Sequence, residues 1–378
     1  VLRGANEPAG SFSSSNTLLN RIHAIINRAI QSNMMSIFTD CPDREKLGWL
    51  GDTSVMFGSI VRNYDVAAFS RNVVRNMADS QTQQGLVPDF VPAYEIYGGA
   101  FGDDPNWGNA MILIPWGLYE TYGDIETMRT YYANMQLYMN YLTSRVEGNL
   151  IEYGLGDWET PETSAQSVPP SVVSTYGYYR AAQTMSRVAA VLGYNDDSAS
   201  YAALVANIAS SFNAAFLDRT NHTYYGGQQA ADAFALDMAI VPEDQHQAVL
   251  DHLIASIRSA GNHAVVGVVG LQALIRVLAG AGRDDVIYDI AKETTYPSYG
   301  YEIVNGATSL TETWQMDANA SFNHMMFGSM DEWFTSGLGG NPAGAGIGRI
   351  REARDQAGLH RRAFGSQRYV PDAERPGY

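Results

Sequence analysis

The densest group of chemically capable side chains lies in segment 40–52, which reads DCPDREKLGWLGD. Its thirteen residues include four carboxylates, one arginine, one lysine and one tryptophan. Because proline and glycine interrupt it, the segment is predicted to be a structured loop that enters a helix near Asp52. Carboxylates beside the indole of Trp49 suit a sugar ring, whose C–H groups stack on the indole while its hydroxyls bond to the acids. The alternative is a surface loop in which Asp52 caps the helix while Arg44 and Lys46 neutralise the acids.

Three more segments repeat this combination of an indole with polar neighbours. Each of them alone is explained by core packing and a helix cap. Four loops of one composition favour a shared site, because the loops at one end of a ring of helical hairpins line a common mouth. The residues concerned are Asp157 and Trp158 in segment 154–159, Glu312 and Trp314 in segment 306–314, and Trp107 in segment 105–109.

A histidine in segment 321–328, His324, is a further candidate. It stands among Phe and Met residues at the start of the last predicted helix. The ordinary interpretation of such a histidine is a core or capping residue whose hydrogen bonds are satisfied. The functional alternative is a donor of a hydrogen bond to a substrate hydroxyl.

Composition narrows the classes of partner and of chemistry. With 24 Lys and Arg residues against 40 Asp and Glu residues, the net charge of −16 opposes binding to nucleic acid and to anionic membrane surfaces. No stretch of the sequence reaches the roughly 20 apolar residues of a membrane helix. The single cysteine, Cys41, excludes an internal disulfide and a cysteine-rich zinc site, and no phosphate-binding glycine loop, HExxH helix or serine elbow occurs. The expected partner is a carbohydrate, and the expected chemistry requires no metal or organic cofactor.

The elements that must position these residues are predicted to be helices. Amphipathic helical spacing recurs along the chain, whereas strand-like alternation over several residues is rare. Twelve helices with short connections predict an all-α fold, an (α/α)6 toroid in which six hairpins close into a ring. Gly123 and Gly193 fit C-terminal caps. Asn16 is expected to cap the first helix. The other helices are expected near 52–63, 65–80, 107–121, 125–147, 170–192, 197–216, 229–239, 245–260, 264–280, 283–293 and 321–336.

Long loops and a tail complete the predicted organisation. Long loops in a compact domain tend to carry function, and these hold most of the candidate acids and tryptophans. Residues 1–338 are predicted to form the helical domain. Residues 339–378 contain seven arginines and show little helical periodicity. This segment is expected either to wrap around the domain or to lead into a further module. The long loops are expected at 37–51, 81–106, 153–169 and 294–318.

Together these motifs resemble the α-L-rhamnosidases of glycoside hydrolase family 78, and specifically their catalytic α/α-toroid domain. The similarity covers nearly all of residues 12–336, in the same order. Its most specific part is segment 40–52, which is similar to that family's DCPxRxExxGWxGD signature with one residue fewer between the cysteine and the glutamate. By the same resemblance, the tail at 339–378 is a possible stub of a β-sandwich module. The supporting matches are Trp107-Gly108-Asn109 with Pro115-Trp116, Gly156-Asp157-Trp158, Tyr296-Pro297-Ser298, segment 306–314, Asn323-His324 and Glu332-Trp333.

The resemblance implies an inverting glycosidase that releases terminal α-L-rhamnose. Glu45 would be the general acid and Glu312 the general base that activates water, with roughly 6.5–9.5 Å between their carboxyl groups. Arg44 would be the family's sugar-binding arginine, although the shortened spacing also lets Asp43 align with that position. The rhamnose ring would be held by Asp40, Asp52 and Trp49, and the pocket completed by Trp107, Asp157, Trp158, Trp314 and His324.

Other functions remain open at this point. Trehalase-like and glucoamylase-like toroid enzymes fit the acid-rich segment less well, and an enzyme that acts on uronides would need a basic pocket for the substrate carboxylate. A carbohydrate-binding toroid without activity would keep the tryptophans and lose the acid or the base. This sequence has both Glu45 and Glu312.

Overall fold

The computed structural model describes residues 4–94, 99–161 and 167–338, and most of these residues are helical. Two short antiparallel strands, β1 (Leu217–Asp218) and β2 (Thr223–Tyr224), lie between two of the helices. Within the described ranges, no helix is both long and apolar enough to cross a membrane. The tail at 339–378 lies outside the described residues. The helices are α1 (Thr17–Asn33), α2 (Leu50–Asn63), α3 (Ala67–Ser80), α4 (Pro105–Gly108), α5 (Ala110–Tyr122), α6 (Ile125–Thr143), α7 (Pro170–Leu192), α8 (Asn195–Phe216), α9 (Gln229–Asp237), α10 (Glu243–Ser259), α11 (Val268–Gly280), α12 (Asp284–Ala291), α13 (Tyr299–Val304) and α14 (Met330–Trp333).

Helix ends follow the local signals of the sequence. Asn16 caps α1, since its side chain accepts hydrogen bonds from the amides of Leu18 and Leu19, and the apolar face of this helix is buried. Gly123 and Gly193 end α5 and α7 in the left-handed conformation, with φ of 70° and 84°. These predicted caps are confirmed.

Six helices form an inner ring in which each contacts the next. They are α2, α5, α7, α9, α11 and α14, and α14 closes the ring against α2. The residues from Gln229 to Leu236 in the inner helix α9 are all buried, whereas the outer helix α8 buries only Ile208 and Phe212. An inner helix is enclosed by neighbours on all sides, while an outer helix needs one apolar face. The predicted (α/α)6 toroid is confirmed.

The helix predictions were wrong between α12 and α14. Residues 294–318, expected to be one loop, contain α13, and residues 321–336, expected to be helical, become so only from Met330. The helix expected at 107–121 is divided into α4 and α5. The apolar pattern therefore located buried segments more accurately than it located helices.

Backbone pairing explains why residues 321–329 are not helical. The amide of Glu312 donates to the carbonyl of Ser321, and the amide of His324 donates to the carbonyl of Leu310, each at 2.9 Å. The carbonyl of Ser321 and the amide of His324 are thus used across a hairpin, residues 310–324, and not within a helix. His324 therefore lies at the end of this hairpin.

The connections from outer to inner helices lie at one end of the toroid, here called the mouth. They share an end because alternate helices in a ring of hairpins run in the same direction. The loops that precede α2, α5 and α7 lie here, as does the hairpin at 310–324. Connections at the opposite end are short; two residues join α5 to α6. The four segments with candidate residues thus reach one end of the ring.

Candidate active site

Asp40 organises the loop that precedes α2. Its Oδ1 accepts from the amide of Leu47 at 2.8 Å, and the thiol of Cys41 donates to its Oδ2 at 2.9 Å. Burial raises the pKa of Asp40, although these hydrogen bonds favour the ionised form. The closed loop leaves Arg44 and Glu45 exposed.

The indole of Trp49 holds the carboxylate of Glu45. Trp49 occupies the N-cap position of α2, and its ring packs against Phe90 with centroids 5.3 Å apart. The Trp49 side chain makes no capping hydrogen bond to α2. Nε1 of Trp49 donates to Oε2 of Glu45 at 2.8 Å. Because the Glu45 side chain is 38% exposed, it is held from inside the protein while it stays accessible at the mouth.

Glu312 reaches the same place from the hairpin. Its Oε2 accepts from the amide of Ser321 at 2.6 Å. Nη2 of Arg44 lies 2.6 Å from Oε1 and 2.7 Å from Oε2 of Glu312, and Nη1 of Arg44 donates to the carbonyl of Asn319 at 2.8 Å. This charge-assisted pair joins two loops that are distant in the sequence.

Arg44 stands between the two candidate catalytic carboxylates. The Nη2 atom that binds Glu312 is also 3.3 Å from Oε1 of Glu45. The nearest oxygens of Glu45 and Glu312 are therefore separated by no more than the sum of 2.6 and 3.3 Å. Two carboxylates and one guanidinium share a small site at the mouth.

Asp52 and His324 form the buried part of this site. Oδ1 of Asp52 is 3.4 Å from Nδ1 of His324, and no residue of the described ranges gives this oxygen a hydrogen bond. Burial, together with repulsion from neighbouring acids such as Asp40, raises the pKa of Asp52 well above its usual value. Burial, assisted by the charge of Arg44, lowers the pKa of His324 to about 3. The contact therefore joins a carboxyl group to a neutral imidazole and is not an ion pair.

Asp157 caps an inner helix from a distant loop. Its two oxygens accept from the amides of Gly267 at 2.7 Å and Gly270 at 2.8 Å, where α11 begins. Burial raises the pKa of Asp157 to about 6, against the effect of these hydrogen bonds. A Cβ at Gly267 would lie 2.3 Å from the carbonyl oxygen of Trp158, so the close approach requires glycine. The cap places the half-buried Trp158 edge-on to Phe101, with centroids 5.5 Å apart.

Trp107 and Trp314 lie in the core behind the site. Trp107 is 3% exposed and packs on Gly51, where an added Cβ would lie 2.2 Å from the indole. Trp314 is 4% exposed and packs against Tyr299 and Phe327, with centroids 5.0 Å and 4.5 Å away. The first indole supports α2, and the second supports the hairpin that carries Glu312.

The candidate residues therefore fall into three sets. One set lies together at the mouth, the second consists of the helix cap Asp157 with its neighbour Trp158, and the third is the core pair Trp107 and Trp314. The site at the mouth has two carboxylates beside a guanidinium, with the buried polar side chains of Asp52 and His324 behind them. Such a site is suited to acid–base cleavage of a glycosidic bond. The set at the mouth comprises Asp40, Arg44, Glu45, Trp49, Asp52, Glu312 and His324.

Some supporting residues were missed by the sequence analysis. Ser321 donates its amide to Glu312, and the buried Glu302 accepts from the amide of Thr311, at 3.2 Å. Nothing in the sequence marks these two, because their partners come from separate turns of the chain. Asp89 is buried, and burial raises its pKa well above the usual value. The sequence does indicate this buried acid, because Asp89 is a carboxylate inside the apolar run LVPDFVP.

Comparison with known proteins gives consistent matches. The family model described as the bacterial alpha-L-rhamnosidase 6 hairpin glycosidase domain matches residues 7–338. Curated α-L-rhamnosidases from Alteromonas sp. (strain LOR) and Streptomyces avermitilis are each 30% identical to the chain, over 87% and 90% of its length. The solved α-L-rhamnosidase from Dictyoglumus thermophilum matches 87% of the chain with 35% identity and a TM-score of 0.82. The solved S. avermitilis enzyme complexed with L-rhamnose matches 88% of it with 30% identity and a TM-score of 0.81.

These relatives are much longer than the chain. It spans 37% and 33% of the two curated proteins, and 38% and 32% of the two solved chains. The family model nevertheless covers nearly all of the described residues, including every segment that forms the mouth. The chain belongs to the family of bacterial α-L-rhamnosidase six-hairpin glycosidase domains.

Proposed function

We propose that this chain is the catalytic domain of a glycosidase that releases terminal α-L-rhamnose from rhamnosides by an inverting single displacement. Glu45 acts as the general acid and Glu312 as the general base that activates water. The observation that carries the proposal is the contact of one guanidinium, that of Arg44, with both carboxylates, because this cleavage needs two carboxyl groups at one site. The names of the Alteromonas and S. avermitilis relatives support the substrate class.

The surroundings of the two carboxylates fit an acid and a base. Glu312 has a side chain that is only 13% exposed, and Arg44 contacts both of its oxygens, so its carboxyl group is held in one position. Glu45 is 38% exposed and takes an N–H from Trp49 on Oε2. It is the more accessible of the two to a leaving group that departs toward solvent.

Arg44 must leave the space between the carboxylates when a substrate binds. Inverting pairs are separated by roughly 6.5–9.5 Å and retaining pairs by about 5–5.5 Å. The nearest oxygens of Glu45 and Glu312 are closer than the inverting range. The contact of Arg44 with Glu45, at 3.3 Å between two exposed side chains, is weaker than its contact with Glu312. Arg44 therefore releases Glu45 and stays with Glu312, so that sugar and water can enter the gap between the carboxylates.

The buried polar groups suit the hydroxyls of an uncharged sugar. Asp52 with its raised pKa and His324 with its lowered pKa offer a carboxyl group and a neutral imidazole. Each of these can both donate and accept a hydrogen bond. Trp158 adds an aromatic surface for the C–H groups of the ring.

A panel of p-nitrophenyl glycosides tests the substrate class, and proton NMR of the first product tests the stereochemistry. We expect the purified protein to cleave the α-L-rhamnoside in preference to the other sugars, with β-L-rhamnose as the first product. α-L-Rhamnose as the first product would contradict inversion. Cleavage of a different glycoside in place of the rhamnoside would contradict the substrate.

A further inference from the structure

The candidate acid indicates which side of the site receives the leaving group. A general acid donates its proton to the glycosidic oxygen, so the leaving group lies on the side of the sugar that faces this acid. Surfaces that continue outward from Glu45 are therefore surfaces that the leaving group meets. This step rests on the role proposed for Glu45 above.

A row of three aromatic rings leads outward from Glu45. Trp49 donates to Glu45 at 2.8 Å, and its ring lies 5.3 Å from that of Phe90. The ring of Phe90 lies 5.9 Å from that of Tyr94 in an edge-on contact. Trp49 and Phe90 are buried, with 9% and 2% exposed, whereas Tyr94 is 75% exposed. Tyr94 thus ends in solvent a row that begins at the acid.

The row is attached to the loop that carries the acid by main-chain hydrogen bonds. The amide of Val91 donates to the carbonyl of Gly48 at 3.0 Å, and the amide of Leu50 donates to the carbonyl of Asp89 at 2.7 Å. These bonds flank Phe90 on both sides. Phe90 is therefore fixed against the loop of the acid, and a ring that packs on it has a rigid support, which favours recognition.

Exposure alone does not make Tyr94 a binding residue, because single exposed aromatic side chains are common. Tyr194 provides the contrast, since it is 44% exposed but lies against Tyr132 at the end of the toroid opposite the mouth. What distinguishes Tyr94 is its connection through two buried rings to the candidate acid. A flat ring in the path of a departing group can stack on it.

We propose that Tyr94 is the outer platform of a leaving-group subsite that selects rhamnosides whose leaving group has a second ring. A ring attached directly to the glycosidic oxygen lies beside Glu45 and Trp49. Phe90 lies between Trp49 and Tyr94, with centroid steps of 5.3 Å and 5.9 Å, so we expect Tyr94 to be reached by a further ring of the leaving group. That ring is aromatic or a saccharide, as both present a flat face of low polarity.

Kinetics of the Tyr94→Ala variant on three rhamnosides test this subsite. The leaving groups are p-nitrophenol with one ring, a phenol with two or more linked rings, and a sugar that is itself a glycoside. We expect KM to rise roughly threefold to tenfold for the multi-ring phenol, the glycosylated sugar or both, with kcat unchanged. The one-ring rhamnoside should keep its KM and kcat within about twofold. The substrate that responds identifies the ring as aromatic or saccharide.

Two controls separate this proposal from loss of folding and from the proposed function. Tyr94→Phe retains the ring and should retain the low KM, and Tyr194→Ala removes an exposed tyrosine at the opposite end and should change neither substrate. Equal effects of Tyr94→Ala on one-ring and multi-ring rhamnosides, or no effect on either, would overturn the subsite and leave the proposed function intact. If the unaltered protein cleaves none of the rhamnosides, the proposed function is wrong and the subsite is rejected with it.

Discussion

Two aspartates on the inner ring of helices stand in opposite electrostatic surroundings. Asp52, in the first turn of α2 at the mouth, has no lysine or arginine within ion-pair distance among the described residues. Asp237, at the end of α9 and roughly two helical turns deeper, is bound by Arg276 at 3.0 Å and 2.6 Å and accepts from the phenol of Tyr176 at 2.6 Å. Both side chains are largely enclosed, with 5% and 16% exposed.

The pKa values of these two aspartates shift in opposite directions. Burial raises the pKa of Asp52, and the neighbouring acids add to that effect. Burial also pushes the pKa of Asp237 upward, but the charge and hydrogen bonds of Arg276 outweigh it and hold the pKa below the usual value. The partner therefore decides the state of a buried carboxyl group. The aspartate without a cation lies at the mouth, where chemistry is proposed, and the paired aspartate lies in the wall of the barrel.

The largest expected effect is on rate, at the mouth. Glu45→Gln removes the proton that a poor leaving group needs, so cleavage of such a rhamnoside should fall by roughly two to four orders of magnitude. The loss should be smaller for p-nitrophenyl rhamnoside, because nitrophenolate departs with little protonation. Glu312→Gln should impair both substrates similarly, since each needs an activated water. Steady-state kinetics on the two substrates measure the contrast.

The control for these variants is Glu126→Gln, which changes a glutamate on the exposed surface of α6 whose side chain is 72% exposed. It should leave both rates unchanged. If Glu45→Gln hydrolyses both rhamnosides at the original rate, Glu45 is a loop charge and not the acid.

The second effect is on stability, in the wall of the barrel. Arg276→Met leaves Asp237 enclosed without its cation, so we expect the free energy of unfolding to fall by roughly 3 kcal/mol. This value is at the lower end for buried pairs because Arg276 is 27% exposed. Urea unfolding measures the change. Arg129→Met, which breaks an exposed pair on α6, should change stability by less than about 0.5 kcal/mol. A lower rate per folded molecule at unchanged stability for Arg276→Met would break the comparison.

The smallest effect, taken per pH unit, is a dependence of stability on pH that has opposite sign for Asp52 and Asp237. The pKa of Asp52 is raised in the folded protein, whereas an aspartate of the unfolded chain has a pKa of about 4. Above that pH, ionisation of Asp52 therefore opposes folding. The stability of Asp52→Asn relative to the unaltered protein should therefore increase as pH rises, by up to about 1.4 kcal/mol per unit. The lowered pKa of Asp237 stabilises the fold above the unfolded value, and this contribution is lost as pH falls through its native pKa. Asp237→Asn should therefore lower the free energy of unfolding most near neutral pH.

Urea unfolding of both variants from pH 3 to 8 measures these slopes. The titratable groups that face Asp52 are Asp40, Glu45, Glu312 and His324. Because the variant and the unaltered protein both contain these groups, their titration is common to the two proteins. If the difference in the free energy of unfolding between Asp52→Asn and the unaltered protein does not change with pH, Asp52 is ionised as easily as an exposed aspartate.

Local patterns predicted the ring of helices but not every element in it. The cap at Asn16 and the apolar face of α1 involve residues within a few turns, so the sequence contains the whole interaction. Residues 321–336 were predicted as a helix from the same kind of pattern. Backbone groups of Ser321 and His324 pair with residues 310–312, and the apolar pattern shows that residues are buried without showing what their backbone binds.

The amino-acid sequence by itself determined the fold class and the residue types available for chemistry, because apolar periodicity and the acid-rich segment are local features. Tertiary structure alone decided which of those residues share a site. It paired Arg44 with Glu312, used both oxygens of Asp157 to cap α11, and buried Trp107 behind α2. Each of these contacts joins segments that are far apart in the chain, and only closure of the ring brings such segments within hydrogen-bond distance.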